Sequence, residues 1–450
     1  MQTHIVGILH AMAHGSDEPR FPTQPVDRLT RPLERFLHVE AASGVVLLVS
    51  ALVALVLANS AVADSFLGFW KTPVGFTLGA FQMEHKLSHW INDGLMAIFF
   101  FVIGLEVKRE LVMGELRDLR RAALPIAGAV GGMVVPAAVY LLLAPDGPAQ
   151  DGWGIPMATD IAFVVGCMAV LGERVPRGMR VFLLSLAIAD DIGAILVIAI
   201  GYTASINGVA LSLAFFGLAL VVLAARIGVR SFAAYTALAV GIWLGFHESG
   251  VHATIAGVLL GLLTPAKPAL SESNFGALAE RFARVLRGDD ETDEARKAER
   301  ARGLTLAAVQ SVSPLEYLET RLHPWMGFAI MPIFALANAG VPFHASDIAD
   351  PIAVAVGLGL LIGKPVGIFG LSFLAVRLGL AHLPEGVRWS SIACGGLLAG
   401  IGFTMALFIA SLALEEASLQ IAKVGILAAS AVAAIAGTAL LALTLRTSER

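Results

Sequence analysis

The stretch Val181-Phe-Leu-Leu-Ser-Leu-Ala-Ile-Ala-Asp190-Asp191-Ile-Gly-Ala-Ile-Leu-Val-Ile-Ala-Ile200 carries no charge except two adjacent carboxylates. A helix that crosses a bilayer needs ~20 apolar residues, and this run has that length. An ionised carboxylate at mid-helix costs ~2.5–3.5 kcal/mol on insertion scales, whereas each Leu or Ile returns only ~0.3–0.6 kcal/mol. The pair therefore cancels most of the insertion energy of its own helix, and apolar packing does not explain that. Successive helical residues point ~100° apart, so Asp190 and Asp191 cannot face one spot. One can bind an ion while the other meets a different partner.

The rest of the chain supplies the membrane around this helix. Of 450 residues, 57% are hydrophobic and only 15% charged, more apolar surface than one water-soluble core can hide. Residues 41–58, 122–143, 211–225 and 426–445 are further uncharged runs. Windowed in this way the chain is expected to hold about 12 spans. Lys and Arg should then mark alternate loops. They fall in the N-terminal tail, at Lys108 to Arg121, Arg174 to Arg180 and Arg226 to Arg230, and through the polar stretch from Lys267 to Arg321. They fall again at Arg377, Arg388, Arg446 and Arg450. The intervening loops 145–153, 205–209, 247–250 and 343–351 hold neither, while Lys71, Lys86 and Lys423 are exceptions. Both termini are therefore expected in the cytoplasm.

This pattern divides the chain into a cytoplasmic tail (1–40), a first transmembrane half (41–263), a long charged cytoplasmic loop (264–322), a second transmembrane half (323–445) and a cytoplasmic C-terminus (446–450). The tail has no apolar region followed by a small-residue cleavage site, so it reads as retained. Around Gly79, Val74, Phe76, Leu78, Phe81 and Met83 partly alternate with small or polar residues, and an external hairpin is expected over 70–85. Residues 271–320 combine a helix-period stretch (Phe275, Leu278, Phe282, Val285, Leu286) with a charge-dense run, read as a solvated loop. A net charge of −4 with no basic stripe excludes a nucleic-acid partner. Cys167 and Cys394 stand singly in apolar runs, as packing residues, which argues against a disulfide or a cysteine zinc site.

Three further features lie inside apolar runs. Asp160 follows Gly154, Pro156 and Thr159, the composition of a discontinuous helix that exposes carbonyls and a hydroxyl to a hard cation. It reads either as a plain helix cap or, by the default for membrane-embedded acids, as functional. Lys364, next to Pro365, reads as a snorkelling lysine at a helix end or as a buried ion-pair partner for one aspartate. Gly395, Gly396, Gly400 and Gly402 fall in one span, through close helix packing or through a second broken helix. Paired interrupted helices in the two halves of a chain point to a central transport site. The fold class expected is thus an all-α membrane protein with inverted-topology repeats and two interrupted, crossing helices.

The chain resembles the NhaA-type sodium/proton antiporters over about residues 35–445. The resemblance rests on His89-Trp-Ile-Asn-Asp-Gly-Leu-Met96, Gly104-Leu-Glu-Val-Lys-Arg-Glu-Leu111, Ala158-Thr-Asp-Ile-Ala-Phe163 and Leu186-Ala-Ile-Ala-Asp-Asp-Ile-Gly-Ala194. It continues at Ser249-Gly-Val-His-Ala-Thr254, Leu322-His-Pro-Trp325, Phe334-Ala-Leu-Ala-Asn-Ala-Gly340, Ile362-Gly-Lys-Pro365, His382-Leu-Pro-Glu-Gly386 and Gly400-Ile-Gly-Phe-Thr-Met405. What the resemblance implies is an electrogenic antiporter of the bacterial inner membrane that expels Na+ or Li+ in exchange for protons, is pH-regulated, and forms a homodimer through the hairpin. Asp191 would be the principal ligand for Na+, with Asp190 beside it and Thr159 adding an oxygen. Lys364 would pair with Asp190, and Asp160 and Lys364 would compensate opposed helix termini. A pH-sensing region would comprise Glu106, Lys108, Arg109, Glu110, Glu319 and His323. Each of those six, taken singly, also reads as part of a solvated basic loop.

The chain departs from the family pattern at Thr320, where a second histidine is usual, and in its longer loop and N-terminal tail. The resemblance therefore does not carry over an operating pH. His247 and His252 near external loops read as structural. No cofactor is implied beyond the transported ions, and the bilayer is the remaining partner. A proton and a sodium ion both neutralise a buried carboxylate, so they compete for the same oxygens, and that competition couples the two fluxes. Two other classes need intramembrane aspartates. An aspartyl protease would leave Lys364 without a role and lacks its Gly-x-Gly-Asp signature here, and a cation channel would carry ions without coupling.

Overall fold

The computed structural model describes residues 40–78, 81–203, 206–229, 231–268, 270, 276–278, 280, 303 and 310–446. The expected N-terminal tail up to residue 39, the centre of the hairpin, most of the charged loop and residues 447–450 lie outside them.

Among the described residues, seven helices are long and apolar enough to cross a membrane, or up to nine if each of two bent pairs counts as one span. Leu142, Ile200 and Val170, at 83%, 80% and 79% exposure, point outward from three different spans. Large aliphatic side chains left this bare require lipid around them. The molecule is a multi-pass membrane protein of the all-α class, whose membrane-crossing elements are helices. Its one described strand pair is antiparallel, Pro73–Leu78 against Phe81–Lys86, with Pro73 opposite Lys86.

Two spans are interrupted, each for a local reason. Pro148–Met157 winds as a tight 3-10 helix with Pro156 inside it. The chain then runs extended through Ala158 and Asp160 before the helix Ile161–Leu171 begins. Proline lacks the N–H that would continue the helix. The second break separates Trp389–Ala399 from Phe403–Ala413, which are bent by 49° about Gly400-Ile401-Gly402. Glycine is required there, because a side-chain carbon at Gly400 would press on the carbonyl of Leu360 and one at Gly402 on Leu360 and Ala406. The broken helix and the close packing expected of this glycine-rich run are both present.

A third span, Pro351–Arg377, widens into a π-helical turn at Gly359–Gly363 immediately before Lys364. Pro365 cannot donate to the turn before it, and a local widening of this kind is one way a helix absorbs the loss. This span lies along Leu119–Leu143, which in turn packs on Arg177–Gly201. Contact between the first two is backbone to backbone, since a methyl at Gly131 would overlap the carbonyl of Gly367, and the reverse holds equally. Gly367→Ala is therefore expected to lower stability by about 1–3 kcal/mol through overpacking. Gly370→Ala, which has open space, is expected to be neutral. The thermal unfolding midpoints of the two variants in detergent check this.

Candidate cation site

The Arg177–Gly201 helix buries both of its mid-span carboxylates, with Asp190 at 1% and Asp191 at 3% exposure. Asp190 Oδ2 accepts a hydrogen bond from Thr159 Oγ1 at 2.6 Å and one from Lys364 Nζ at 2.7 Å. Asp190 Oδ1 accepts none from the described residues. Lys364 is fully buried and also donates to the carbonyl of Met157. Its stem passes Gly132, where a side-chain carbon would meet Lys364 Cε. Lys364 is thus an interior ammonium held by one carboxylate and by the end of the 3-10 helix, and it does not snorkel.

The two helix breaks meet beside this pair. The Asp160 N–H donates to the carbonyl of Ile401 at 2.7 Å, and Thr159 Oγ1 lies 3.0 Å from the carbonyl of Ala399. Asp160 Oδ1 accepts from the Phe163 N–H at 3.3 Å, capping its own helix. Its Oδ2 accepts from the Thr404 N–H at 3.1 Å and from the Thr404 hydroxyl. The next free N–H, that of Phe403, is met by Ser430 Oγ at 3.1 Å. Both helices that start at the crossing therefore direct their N-termini at Asp160. Positive helix ends favour a carboxylate and negative ends favour a cation, so the two breaks and the charges at Asp160 and Lys364 suit one another. A plain cap and a functional acid were the two readings of Asp160 on sequence grounds, and here its carboxylate caps two helices.

Charge is not balanced at this crossing. Asp160 has its helix ends and Asp190 has Lys364 and Thr159, but Asp191 accepts no hydrogen bond from any described residue. A buried carboxylate without a counter-charge is costly, so a bound cation or proton is what such a site demands. A cavity of about 720 Å³ opens next to the first turns of the same helix, with Val181, Leu184 and Ser185 in its wall. Helical spacing continues that face through Ile188 to Asp191, two turns or ~10 Å from Leu184.

Four of the six residues expected to form a pH-sensing region come together at one helix pair. Pro314–Trp325 docks on Met96–Val112, with Arg109 paired to Glu319 and His323 Nδ1 3.7 Å from Glu106 Oε1. Glu110 instead turns away to accept the Glu115 N–H at 3.1 Å. Lys108 makes no hydrogen bond or ion pair among the described residues. His252 Nε2 lies 3.0 Å from the carbonyl of Tyr202, and burial lowers its pKa. Thr404 was not singled out as a site residue from sequence. Its only signal there was its position just after Gly402, because the acid that it serves is far away in the chain.

A model of the family described as Na+/H+ antiporter 1 matches residues 34–441. The chain belongs to that antiporter family. A Na+/H+ antiporter NhaA from Rhodopirellula baltica is 53% identical, over 96% of this chain and 99% of its own length. One from Rhizobium meliloti is 52% identical over 95% and 98%, and an NhaA 2 from Acidiphilium cryptum 47% over 93% and 94%. The relatives are named as transporters. The similarity runs through both interrupted spans of this antiporter-family chain, so the crossing lies within the part that the family shares.

Proposed function

We propose that this protein exchanges cytoplasmic Na+ or Li+ for external protons, with Asp191 as principal cation ligand and Asp190 as its neighbour tied to Lys364. Thr159 supplies a further oxygen, and Asp160 with Lys364 steadies the crossing of the two broken helices. The observation that carries this reading is the Asp191 carboxylate, buried and without a donor among the described residues, beside an already paired Asp190. Sodium and protons each cancel that charge, and only one can do so at a time. If the site faces the two sides alternately and moves only when loaded, an inward proton gradient expels Na+. Entry of more protons than sodium ions leaving would let the membrane potential contribute ~2.3 kcal/mol per net charge per 100 mV. The proposed setting is the bacterial inner membrane, with both termini cytoplasmic and two copies per assembly.

The test is a dye-quenching exchange assay in everted vesicles, with Na+, Li+ and K+ compared across pH. Na+ and Li+ should each release protons from an acidified lumen and K+ should not. Ion flux that never drives protons uphill would identify a channel and overturn the proposal.

For regulation by pH we propose the Glu106, Lys108, Arg109, Glu110, Glu319 and His323 region, centred on Glu319, which lies outside the spans. Burial raises the Glu319 pKa above the usual glutamate range, and Arg109 offsets part of this. The folded state therefore holds this proton to a higher pH than the unfolded chain does. The resulting stability is full below the ordinary glutamate range and is lost as pH rises through the raised value. Thermal midpoints taken across that window should fall with pH in the natural chain and flatten in Glu319→Gln. An unaltered slope in the variant would remove Glu319 from the mechanism.

A further inference from the structure

At a different place in the fold, three histidines converge that share no residue with the cation site. His85 is the next-to-last residue of the second strand, His89 closes the short helical turn Leu87–His89 that follows it, and His247 lies in the last turn of Phe232–Ser249. One ring nitrogen from each lies within 4.8 Å of the other two. The ring centroids are 4.3, 5.4 and 5.7 Å apart. Asp93 adds an oxygen, with Oδ2 3.4 Å from His89 Nε2 and 3.7 Å from His247 Nδ1. Donors around a tetrahedral zinc with Zn–N near 2.05 Å stand ~3.3 Å apart, so the two Asp93 separations are close to that value and the imidazoles need shifts of about 1 Å.

The cluster is also built in a way that chance surface histidines are not. His89 Nε2 is buried and, beyond its 3.4 Å approach to Asp93, makes no hydrogen bond among the described residues, although a buried imidazole nitrogen ordinarily finds one. The His247 ring stacks on Trp243, with centroids 5.5 Å apart and planes 14° apart. Trp243 Nε1 donates to the Asp93 carbonyl at 3.3 Å, and Trp90 Nε1 donates to Val74 of the hairpin at 2.8 Å. Asp93 itself lies in the π-helical turn Trp90–Leu95. Partners of this kind hold ligands in place at metal centres.

We propose that His85, His89 and His247, with Asp93 as fourth ligand, form a binding site for one transition-metal dication of the Zn2+ class. Three imidazoles and one carboxylate select such ions over Na+, Mg2+ or Ca2+, which prefer all-oxygen shells. Metal bound here ties the hairpin to the two helices that carry His89 and His247.

Titrating the purified full-length chain, freed of any affinity tag, with Co2+ tests this. Visible absorption reports tetrahedral ligation, and Zn2+ serves as competitor. One Co2+ per chain is expected, displaced by one equivalent of Zn2+, with Zn2+ raising the thermal midpoint. His89→Ala and His247→Ala should each weaken binding by more than about tenfold. Both should keep metal-free Na+/H+ exchange and the midpoint measured in chelator, and His85→Gln replaces either one that does not fold. His344→Ala, at an exposed histidine elsewhere, should bind as the natural chain does. Absence of stoichiometric binding, or binding equal in the natural chain and in the cluster variants, would overturn the proposal.

Discussion

Asp191→Asn is expected to abolish Na+-dependent proton release in everted vesicles, with a loss greater than about 100-fold. Asparagine keeps the shape and one oxygen acceptor but removes the charge for which Na+ and protons compete. Losing even a residue that merely orients a metal ligand costs ~10–100-fold, so losing the charged ligand itself should cost more. Asp191 accepts no hydrogen bond from the described residues, so the substitution breaks no bond that the fold relies on. Insertion and thermal stability should therefore stay near those of the natural chain. Undiminished exchange by a well-inserted variant would show that the cation binds elsewhere.

The second large effect is on stability. Lys364→Ala leaves the Asp190 carboxylate buried with Thr159 as its remaining donor and strips the Met157 carbonyl of its ammonium. Breaking a buried pair from one side costs ~3–5 kcal/mol, because the surviving charge is left uncompensated. Leu361→Ala, three residues away and only partly buried, should cost less. Adding Asp190→Asn to Lys364→Ala removes the stranded charge and should restore part of the loss, which a double-mutant cycle on thermal midpoints reads directly. Equal losses from Lys364→Ala and Leu361→Ala, or no recovery in the double variant, would argue against a buried ion pair.

Legibility in the sequence differed from residue to residue. Asp190 and Asp191 announce themselves because two charges in an apolar span have a cost that local sequence reveals. The interruption near Asp160 was readable from Gly154 and Pro156, since proline acts on the backbone of its own segment. Lys364 read more strongly as a buried partner for one aspartate than as a snorkelling lysine, but which aspartate was not legible in its own segment. The resemblance to a family named Asp190. Thr404 was marked only by its place just after Gly402, because a cap on an acid more than 200 residues away leaves no periodic trace, and Ser430, which meets the Phe403 N–H, was not singled out. The histidine cluster was hidden for the same reason. His247 read as a structural histidine at a loop, and only the packing of Phe232–Ser249 beside the hairpin brings it to His85 and His89.

By itself the sequence determined the solvent and the chemistry available. Its apolar content requires lipid, its prolines and glycines interrupt two spans, and its few intramembrane charges must serve a purpose, since transfer energy and backbone geometry are local properties. Tertiary structure alone decided which charges meet. Asp190 lies against Lys364 and Thr159, Asp160 caps two helices at once, and Asp191 is left without a donor among the described residues. Each of these depends on where one helix crosses another. That crossing is set by close contacts such as Gly131 on Gly367 and Gly400 on Leu360, between residues far apart in the chain.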